Sequence, residues 1–304
     1  MIKRIINTDS HLLSGQIAQL LNRQTKDWPL AAQNYQALAH VETRQLQING
    51  CFFIVQYNPA RITSSTASID PQTIKERTCF LCRHHLPPEQ EFLPYTAQSG
   101  NEYLILCNPF PIFPRHLTIS DVNHTDQLIS GRIEDMLELA EQLFDFVLLY
   151  NGPRSGASAP DHFHFQAGNK GFLPVQILVE SGAPLEHYPV TALVFESEEA
   201  SSVAASFHRV FASLQEQSPM EPEPMLNLLC WKTGSKYYLM VFPRKLHRPS
   251  QYFAEGDTHI LLSPGSVDLG GVIITPLEKD FRTIGEADVV NIFEQISLSL
   301  SNKP

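Results

Sequence analysis

The sequence contains few cysteines and no long apolar segment, and each shortage excludes a class of protein. Of its five cysteines, only Cys79 and Cys82 stand at a recognised spacing, which favours reduced thiols or a metal over a disulfide framework. No stretch approaches the roughly 18 consecutive apolar residues of a membrane helix. Residues 1–10 carry two basic side chains without an apolar run behind them. We therefore expect no secretory signal, no membrane partner and a cytoplasmic location.

Positive charge is also scarce. The chain has 22 Lys and Arg against 32 Asp and Glu, a formal net charge of −10 at pH 7. Non-specific binding to nucleic acid depends on neutralising phosphates with Lys and Arg, so the composition argues against a nucleic-acid partner. A content of 43% hydrophobic and 18% charged residues is typical of a soluble globular protein. The 304 residues suit one large domain or two of about 150 residues each.

The hydrophobic pattern of the first half predicts both helices and strands. Asn49-Gly50 between two alternating runs is typical of a two-residue hairpin, because both central positions of such a turn need positive φ. Apolar residues at helical spacing predict helices over 11–25 and 129–148. The other predicted strands of this half lie at 102–107, at 112–120 and in the segment that follows the second helix.

The second half repeats the same kinds of element. They are a strand at 190–195, a helix at 203–214, a hairpin at 225–242, a strand near 271–275 and a helix near 287–298. Phe242-Pro243-Arg244, shortly before His247, also echoes Phe113-Pro114-Arg115-His116. We therefore predict an α+β fold of two similar units, each an antiparallel sheet with helices packed on it. The predicted divisions are an N-terminal helical segment (1–40), a catalytic unit (41–184) and a second unit (185–304) without a His-X-His motif.

The segment that begins near residue 150 contains the residues that suggest chemistry. A loop of small residues, Gly156-Ala157-Ser158, leads into His162-Phe163-His164-Phe165-Gln166. Alternate side chains of a strand share a face, so we expect the two imidazoles and the amide together and both phenyl rings in the core. The alternative is a pair of structural histidines at a sheet edge. The neighbouring small-residue loop favours a catalytic site.

The Cys79-X-X-Cys82 pair is a candidate metal site, because its two thiolates can bind one ion. Two more ligands would complete a tetrahedral structural zinc site, and His116 and His162 are the best donors. A redox pair or two ordinary core thiols are the alternatives, but no thioredoxin-like βαβ pattern surrounds the pair. The competing ligands are His84, His85 and His124.

These motifs resemble those of the histidine-triad superfamily, in its transferase branch. That branch includes galactose-1-phosphate uridylyltransferase, the diadenosine polyphosphate phosphorylases and the GDP-hexose phosphorylases. The main match is Gly156-Ala157-Ser158 running into His162-Phe163-His164-Phe165-Gln166, with support from 58–61, 108–116 and 263–271. A bacterial domain family also shares the features Asn151-Gly152-Pro153 and Pro160-Asp161-His162, which makes Asn151 a candidate substrate-binding residue.

The resemblance implies roles for two residues of the motif. His164 would be the nucleophile that carries the nucleotidyl group, and Gln166 would orient the phosphate where hydrolases carry a third histidine. Because a Gln cannot donate and recover a proton, transfer to phosphate or a sugar phosphate is favoured over hydrolysis. We expect a nucleotidyltransferase or phosphorylase that acts on a nucleotide sugar or a dinucleoside polyphosphate and needs no organic cofactor. A catalytically inactive nucleotide-binding module and a nucleotide hydrolase are the alternatives.

The resemblance also implies a zinc site and departs from the family in one place. The zinc-bearing uridylyltransferases imply Cys79, Cys82, His116 and His162 as ligands. Asp161 is one residue more than their pattern has between the proline and the first histidine. No counterpart of their second, downstream metal site is recognisable.

Phosphate binding should draw on the small-residue loop and on cationic side chains. The backbone N–H groups of Gly156, Ala157 and Ser158, with the Ser158 hydroxyl, are expected to cradle phosphate oxygens. Phosphoryl transfer depends on positioning and charge stabilisation, so cations should converge there. The candidates, each of which could instead be a surface charge, are Arg61, Arg154, Arg244, Lys245 and Arg248. Because an internal duplication can replace a dimer, a monomer and a homodimer are both compatible with the sequence.

Overall fold

The computed structural model describes residues 10–66 and 70–299, which form ten α-helices and eleven strands. The helices are α1 (Ser10–Asp27), α2 (Pro29–Leu38), α3 (Ile62–Ser65), α4 (Pro71–Glu76), α5 (Ile133–Gln142), α6 (Pro174–Glu180), α7 (Ala200–Glu216), α8 (Ser266–Leu269), α9 (Glu278–Thr283) and α10 (Glu286–Ile296). The strands are β1 (Glu42–Ile48), β2 (Cys51–Tyr57), β3 (Phe92–Thr96), β4 (Glu102–Cys107), β5 (His116–Asp121), β6 (Phe146–Asn151), β7 (His164–Asn169), β8 (Leu193–Ser197), β9 (Leu226–Thr233), β10 (Lys236–Pro243) and β11 (Val272–Thr275). Among the described helices, none has the length and apolar character that crossing a membrane requires.

The hairpin predicted at Asn49-Gly50 is present. Strands β1 and β2 pair with Ile48 opposite Cys51, and the turn residues have φ of 50° and 80°, as this kind of turn requires. Strand β11 from the second half pairs in parallel with the other edge of β2. The resulting three-stranded sheet therefore contains residues from both halves of the chain.

The other eight strands form one antiparallel sheet in the order β3-β4-β5-β7-β6-β9-β10-β8. The succession strand, helix, strand, strand occurs twice in it, as β5-α5-β6-β7 and as β8-α7-β9-β10. The two copies lie side by side with their order reversed, so that β6 and β9 meet at the centre. The predicted α+β fold of two units is confirmed, and the units share one continuous sheet.

This arrangement corrects the internal correspondence suggested by the short sequence echo. The duplicated order makes β7, the strand of the His-X-His motif, correspond to β10. Phe113-Pro114-Arg115 precedes β5, whereas Phe242-Pro243 ends β10. The two Phe-Pro-Arg segments thus occupy different positions in their units. The predicted division between residues 184 and 185 falls in the irregular segment between α6 and β8.

Two hydrophobic cores lie on opposite faces of the eight-stranded sheet. Leu148 and Tyr150 of β6 belong to the core covered by α1, α5 and α7. Val147 and Leu149 of the same strand belong to the core covered by the three-stranded sheet and α10. Because β6 is buried on both faces, its sequence is an uninterrupted apolar run.

That run explains why the helix predicted over 129–148 extends too far. The observed helix α5 ends at Gln142, and residues 146–151 form β6. A short continuous apolar run fits helical spacing as well as a strand with two buried faces. The strand predicted over 112–120 likewise begins only at His116, after a segment with prolines at 111 and 114, which lack the N–H that a ladder needs.

Candidate active site

His164 is the first residue of β7, and its ring is held in one tautomer. The side chain is buried, with 4% of its surface exposed. Nδ1 lies 2.9 Å from the carbonyl oxygen of His162, which can only accept, so Nδ1 carries the proton and Nε2 keeps its lone pair. Burial lowers the pKa of His164 to about 4. The ring is therefore neutral at physiological pH, and its Nε2 lone pair accepts no hydrogen bond from the described residues.

The neighbouring phenyl rings lie where the sequence predicted. Phe163 and Phe165 are completely buried in the core covered by α5, and their rings meet edge to face at 4.9 Å between centroids. This packing fixes the direction of β7, so that His164 and Gln166 point away from that core, opposite Ser120 and Thr118 of β5.

Gln127, which sequence reasoning missed, fixes the backbone of His164. Its side chain is completely buried in the segment between β5 and α5. Oε1 accepts from the His164 N–H at 2.7 Å, and Nε2 donates to the carbonyls of His164 at 2.9 Å and of Asn151 at 3.0 Å. One amide thus ties the start of β7 to the end of β6. No motif or spacing in the sequence marks this residue.

Gln166 is oriented by His116. The Ile112 N–H donates to Nδ1 of His116 at 3.2 Å, so the proton of that ring resides on Nε2. Nε2 in turn donates to Oε1 of Gln166 at 2.9 Å. Burial, with a smaller effect of the nearby Arg61, lowers the pKa of His116 to about 3 and keeps the ring neutral. The amide of Gln166 is held with its NH₂ group as the remaining donor, and the side chain lines a cavity.

The predicted metal ligands are brought together except for His116, whose place is taken by His124. The sulfur atoms of Cys79 and Cys82 and one ring nitrogen each of His124 and His162 all lie within 4.8 Å of one another. Both ring nitrogens of His116 are already hydrogen-bonded, one to the Ile112 N–H and the other to Gln166. The sequence offered no means of ranking His124 above His116, because both stand near the ends of β5.

The geometry of this cluster suits a metal ion. His162 donates from Nε2 to the Asp121 carbonyl at 2.9 Å, which leaves the Nδ1 lone pair directed at the sulfur atoms of Cys79 and Cys82, 3.3 and 3.6 Å away. Nδ1 of His124 lies 3.2 Å from the Cys82 sulfur. Tetrahedral zinc, with bonds of about 2.3 Å to sulfur and 2.0 Å to nitrogen, needs S···N separations of about 3.6 Å. Two thiols and two imidazoles at these distances could hold such an ion.

The two thiols differ in acidity. Burial acts to raise the pKa of Cys79, but the hydrogen bond and charge of His162, together with hydrogen bonds from the backbone of Leu81 and Cys82, lower it to about 6. Burial and the adjacent Cys79 raise the pKa of Cys82 to about 11. Cys79 is therefore available as a thiolate near neutral pH. A bound cation would favour deprotonation of the second thiol, that of Cys82.

Asp161, the residue that departs from the uridylyltransferase pattern, contacts this cluster from outside. Its carboxylate forms an ion pair with Arg77, and its Oδ2 lies 3.8 Å from Nε2 of His124. The additional residue thus lies beside His124, the member of the cluster that the sequence-based ligand set did not include.

The small-residue loop forms one wall of a cavity between the two units. Gly156 has φ of +97°, and a Cβ there would lie 3.2 Å from Pro264 O and from the Cα of Gly265. Glycine at this position permits close contact with the loop between β10 and α8. Gly156, Ala157, Ser158 and Gln166 line the cavity from the first unit, and residues 262, 263 and 265–268 line it from the second.

Two of the five predicted cations line this cavity. Arg61 donates to the Phe110 carbonyl at 2.7 Å, and burial lowers the pKa of its guanidinium to about 10. Arg248 donates from Nε to the Ser263 hydroxyl at 3.1 Å and stacks on Tyr252, 4.2 Å from the ring centroid. Both are fixed by the protein at the cavity wall.

The other three predicted cations have different surroundings, so the structure does not bring them to the cavity wall. Arg244 is buried and donates to Asn227, Pro264, Leu246 and His247, which makes it a brace for the loops of the second unit. Arg154 is exposed and pairs with Glu221 at 2.5 Å. Lys245 is exposed and lines a separate depression with residues 185, 186 and 188–193.

Asn151 joins the units at the cavity. Its Oδ1 accepts from the Ser266 N–H at 2.8 Å and from the Asn227 amide at 2.7 Å. The side chain also lines the cavity, as predicted for a substrate-binding residue, but its oxygen is already used within the protein.

Comparison with known proteins agrees with this architecture. Residues 20–169 match the model of a domain of unknown function (DUF4922), and residues 183–302 match the GDPGP1-like C-terminal domain. The crystal structure of yeast Ap4A phosphorylase Apa2 superposes with a TM-score of 0.64 at 16% identity, over 92% of this chain and 97% of that one. The chain therefore shares the two-unit fold of this enzyme, and its residues 183–302 are similar to the GDPGP1-like C-terminal domain. The resemblance inferred from the sequence motifs is therefore confirmed.

Two further structures of the yeast enzyme carry ligands. The complex with AMP matches with a TM-score of 0.61 at 18% identity, over 94% of this chain and 99% of that one. The complex with Ap4A matches with a TM-score of 0.57 at 18% identity, over 91% and 97%. No curated protein sequence matches the chain significantly.

Proposed function

We propose that this chain is a nucleotidyltransferase of the phosphorylase type, which transfers a nucleoside monophosphate from a nucleotide donor to phosphate through His164. The carrying observation is the buried, neutral imidazole whose Nδ1–H is held by the His162 carbonyl at 2.9 Å, so that Nε2 is free to attack. The nucleotide class is supported by the yeast relative, an Ap4A phosphorylase solved with AMP and with Ap4A, and by the GDPGP1-like domain.

The proposed reaction has two displacements. Nε2 of His164 attacks the α-phosphorus of the donor, an N–P bond forms, and the P–O bond to the leaving group breaks with its electron pair on oxygen. The ring becomes positively charged, and the His162 carbonyl stabilises that charge at Nδ1. An oxygen of inorganic phosphate then attacks the same phosphorus, the P–N bond breaks, and neutral His164 and a nucleoside diphosphate are produced.

The remaining groups position the phosphate. The NH₂ group of Gln166, oriented by His116, donates to an oxygen of the transferred phosphoryl group. The backbone of Gly156–Ser158 and the guanidinium of Arg61 counter its negative charge. Because Gln166 cannot exchange a proton with water, the geometry favours phosphorolysis over hydrolysis.

We also propose zinc at the cysteine–histidine cluster, with Cys79, Cys82, His124 and His162 as its ligands. When bound, this ion supplies a cross-link between the cysteine loop and the segment that precedes β7. It takes no part in the displacements. The carbonyl of His162 also accepts the hydrogen bond from Nδ1 of His164. Fixing the position of His162 therefore also helps to fix the orientation of the His164 ring.

Intact-mass spectrometry tests the proposed intermediate. Incubation with dinucleoside polyphosphates and nucleotide sugars, without phosphate, should add one nucleoside monophosphate to the chain, and adding phosphate should remove it. His164→Asn should abolish the adduct. The matched control His208→Asn, at an exposed histidine of α7 that pairs with Glu134, should retain it. Tight nucleotide binding without an adduct would instead indicate a binding module, and product formation without phosphate a hydrolase.

A further inference from the structure

The second unit contributes polar groups to the cavity that the proposed transfer through His164 does not use. His247, in the loop after β10, and Ser266, at the start of α8, both line the cavity. Both ring nitrogens of His247 are shielded from solvent, and within the described residues the ring has only a weak interaction with the backbone of Arg154. The Ser266 hydroxyl, on a completely buried residue, has no hydrogen-bond partner there. Buried polar groups are nearly always paired, so two such residues on one wall indicate a ligand that pairs with them.

The protein fixes this wall in place. Arg244 donates from one guanidinium nitrogen to the His247 carbonyl at 2.9 Å and from another to the Pro264 carbonyl at 2.9 Å. Pro264 and Gly265 pack on Gly156 of the small-residue loop. Arg244 therefore holds the His247 loop next to the loop Gly156–Ser158. In the proposed reaction, the latter loop faces the transferred phosphoryl group.

The charged groups at this wall are the guanidinium of Arg248 and the carboxyl group of Asp268, whose two oxygens already accept from the N–H groups of Gly265 and Ile274. Burial, followed by the charges of Arg248, Arg244 and Arg154, lowers the pKa of His247 to about 4. Arg154 pairs with Glu221, and Arg248 lines the cavity. A neutral imidazole, a hydroxyl and a guanidinium are together suited to an anion with several oxygens.

We infer that His247, Ser266 and Arg248 form a second phosphate-binding subsite, which holds the phosphate that attacks the nucleotidyl-enzyme. This inference rests on the proposed function, because it assigns the acceptor of that reaction. The same subsite would hold the phosphate of the leaving group in the first displacement, since both occupy the side of the phosphorus opposite His164. Inorganic phosphate and a sugar phosphate share the required chemistry.

Equilibrium binding of inorganic phosphate tests the subsite apart from catalysis. The full chain with His164→Asn, which lacks the proposed nucleophile, is titrated by calorimetry with inorganic phosphate and separately with glucose 1-phosphate. Adding His247→Asn or Ser266→Ala should weaken phosphate binding at least about tenfold, as for loss of a hydrogen bond to a charged group. Ser266→Ala is the safer variant, because its hydroxyl makes no hydrogen bond within the described residues. Tighter binding of glucose 1-phosphate than of phosphate would identify the acceptor as a sugar phosphate.

The matched control is His259→Asn. His259 is another histidine of the second unit with a shielded, unpaired Nδ1, but it does not line the cavity. Its substitution should leave phosphate affinity unchanged. Equal affinity in the His247, Ser266 and parent proteins would overturn the subsite, as would equal loss in the control or no phosphate binding by the parent. Failure to form the His164 adduct while phosphate binding depends on His247 would instead overturn the proposed function alone.

Discussion

Replacing Gln127 by methionine tests whether the nucleophile depends on a buried amide outside the motif. Methionine keeps the length of the side chain but removes three hydrogen bonds, to the N–H and carbonyl of His164 and to the carbonyl of Asn151. A buried main-chain group left unpaired costs about 1–3 kcal/mol, so we expect a loss of about 3 kcal/mol or more. Typical domains are stable by about 5–15 kcal/mol, so the variant should still fold.

The effect on the reaction should be larger than the effect on donor binding. Without Gln127, the backbone of His164 is no longer fixed, and a displacement of about 1 Å at a reacting group can reduce a rate about 100-fold. Urea unfolding measures the loss of stability. The single-turnover rate of adduct formation at saturating donor measures the loss of rate. Donor affinity should change little, because Gln127 does not line the cavity.

Gln176→Met is the matched control for this variant. Gln176 is also almost completely buried, but its side chain accepts only from the Gly171 N–H, at 3.0 Å, and lies in α6. It should lose about 1 kcal/mol and keep its rate of adduct formation. If Gln127→Met kept that rate within twofold, or if both variants slowed equally, the positioning role of Gln127 would be refuted.

Four other predictions concern the proton, the metal and the loop. With the pKa of His164 near 4, roughly 97% of the ring is neutral at pH 5.5, against about 9% for an ordinary histidine, so the rate of adduct formation should stay level from pH 8 to 5.5; a tenfold fall would contradict the assignment. The depressed pKa should also reduce the free energy of unfolding as pH falls below about 6.5, by about 2 kcal/mol at pH 5, because only the unfolded His164 takes up a proton there. His124→Asn should lower the zinc content measured by plasma mass spectrometry while His116→Asn leaves it near one per chain, and the reverse result would restore the sequence-based ligand set. Gly156→Ala should cost about 1–2 kcal/mol more in thermal unfolding than Gly171→Ala, since both have positive φ but only the first would bring Cβ to 3.2 Å from neighbouring backbone; equal costs would show that the loop can move aside.

The sequence predicted what depends on local pattern. Asn49-Gly50 specified the first hairpin because its turn geometry is set by those two residues alone. The alternation in the His-X-His segment placed Phe163 and Phe165 in the core, because a two-residue period determines which face each side chain takes. Both predictions required no knowledge of distant parts of the chain.

What the sequence did not predict depends on contacts between distant segments. The apolar run of β6 was assigned to a helix, since burial on both faces arises only when two cores form around the sheet. His124 and His116 have the same chemistry, and only the path of the chain decides that one reaches the cysteines and the other Gln166. Gln127 acts through main-chain groups of His164, which no side-chain motif records.

The joining of the two units through β6 and β9 has a consequence for the chain as a whole. Either half made alone would expose one of these strands as a bare sheet edge, and β6 is an uninterrupted apolar run from Phe146 to Tyr150. Such edges recruit other strands, so separated halves are expected to aggregate or to reassemble with each other. Strand β11 adds a second tie, because it completes the sheet that β1 and β2 begin. The second unit, which lacks the His-X-His motif, is therefore expected to be needed for the folding of the first, whatever it contributes to binding.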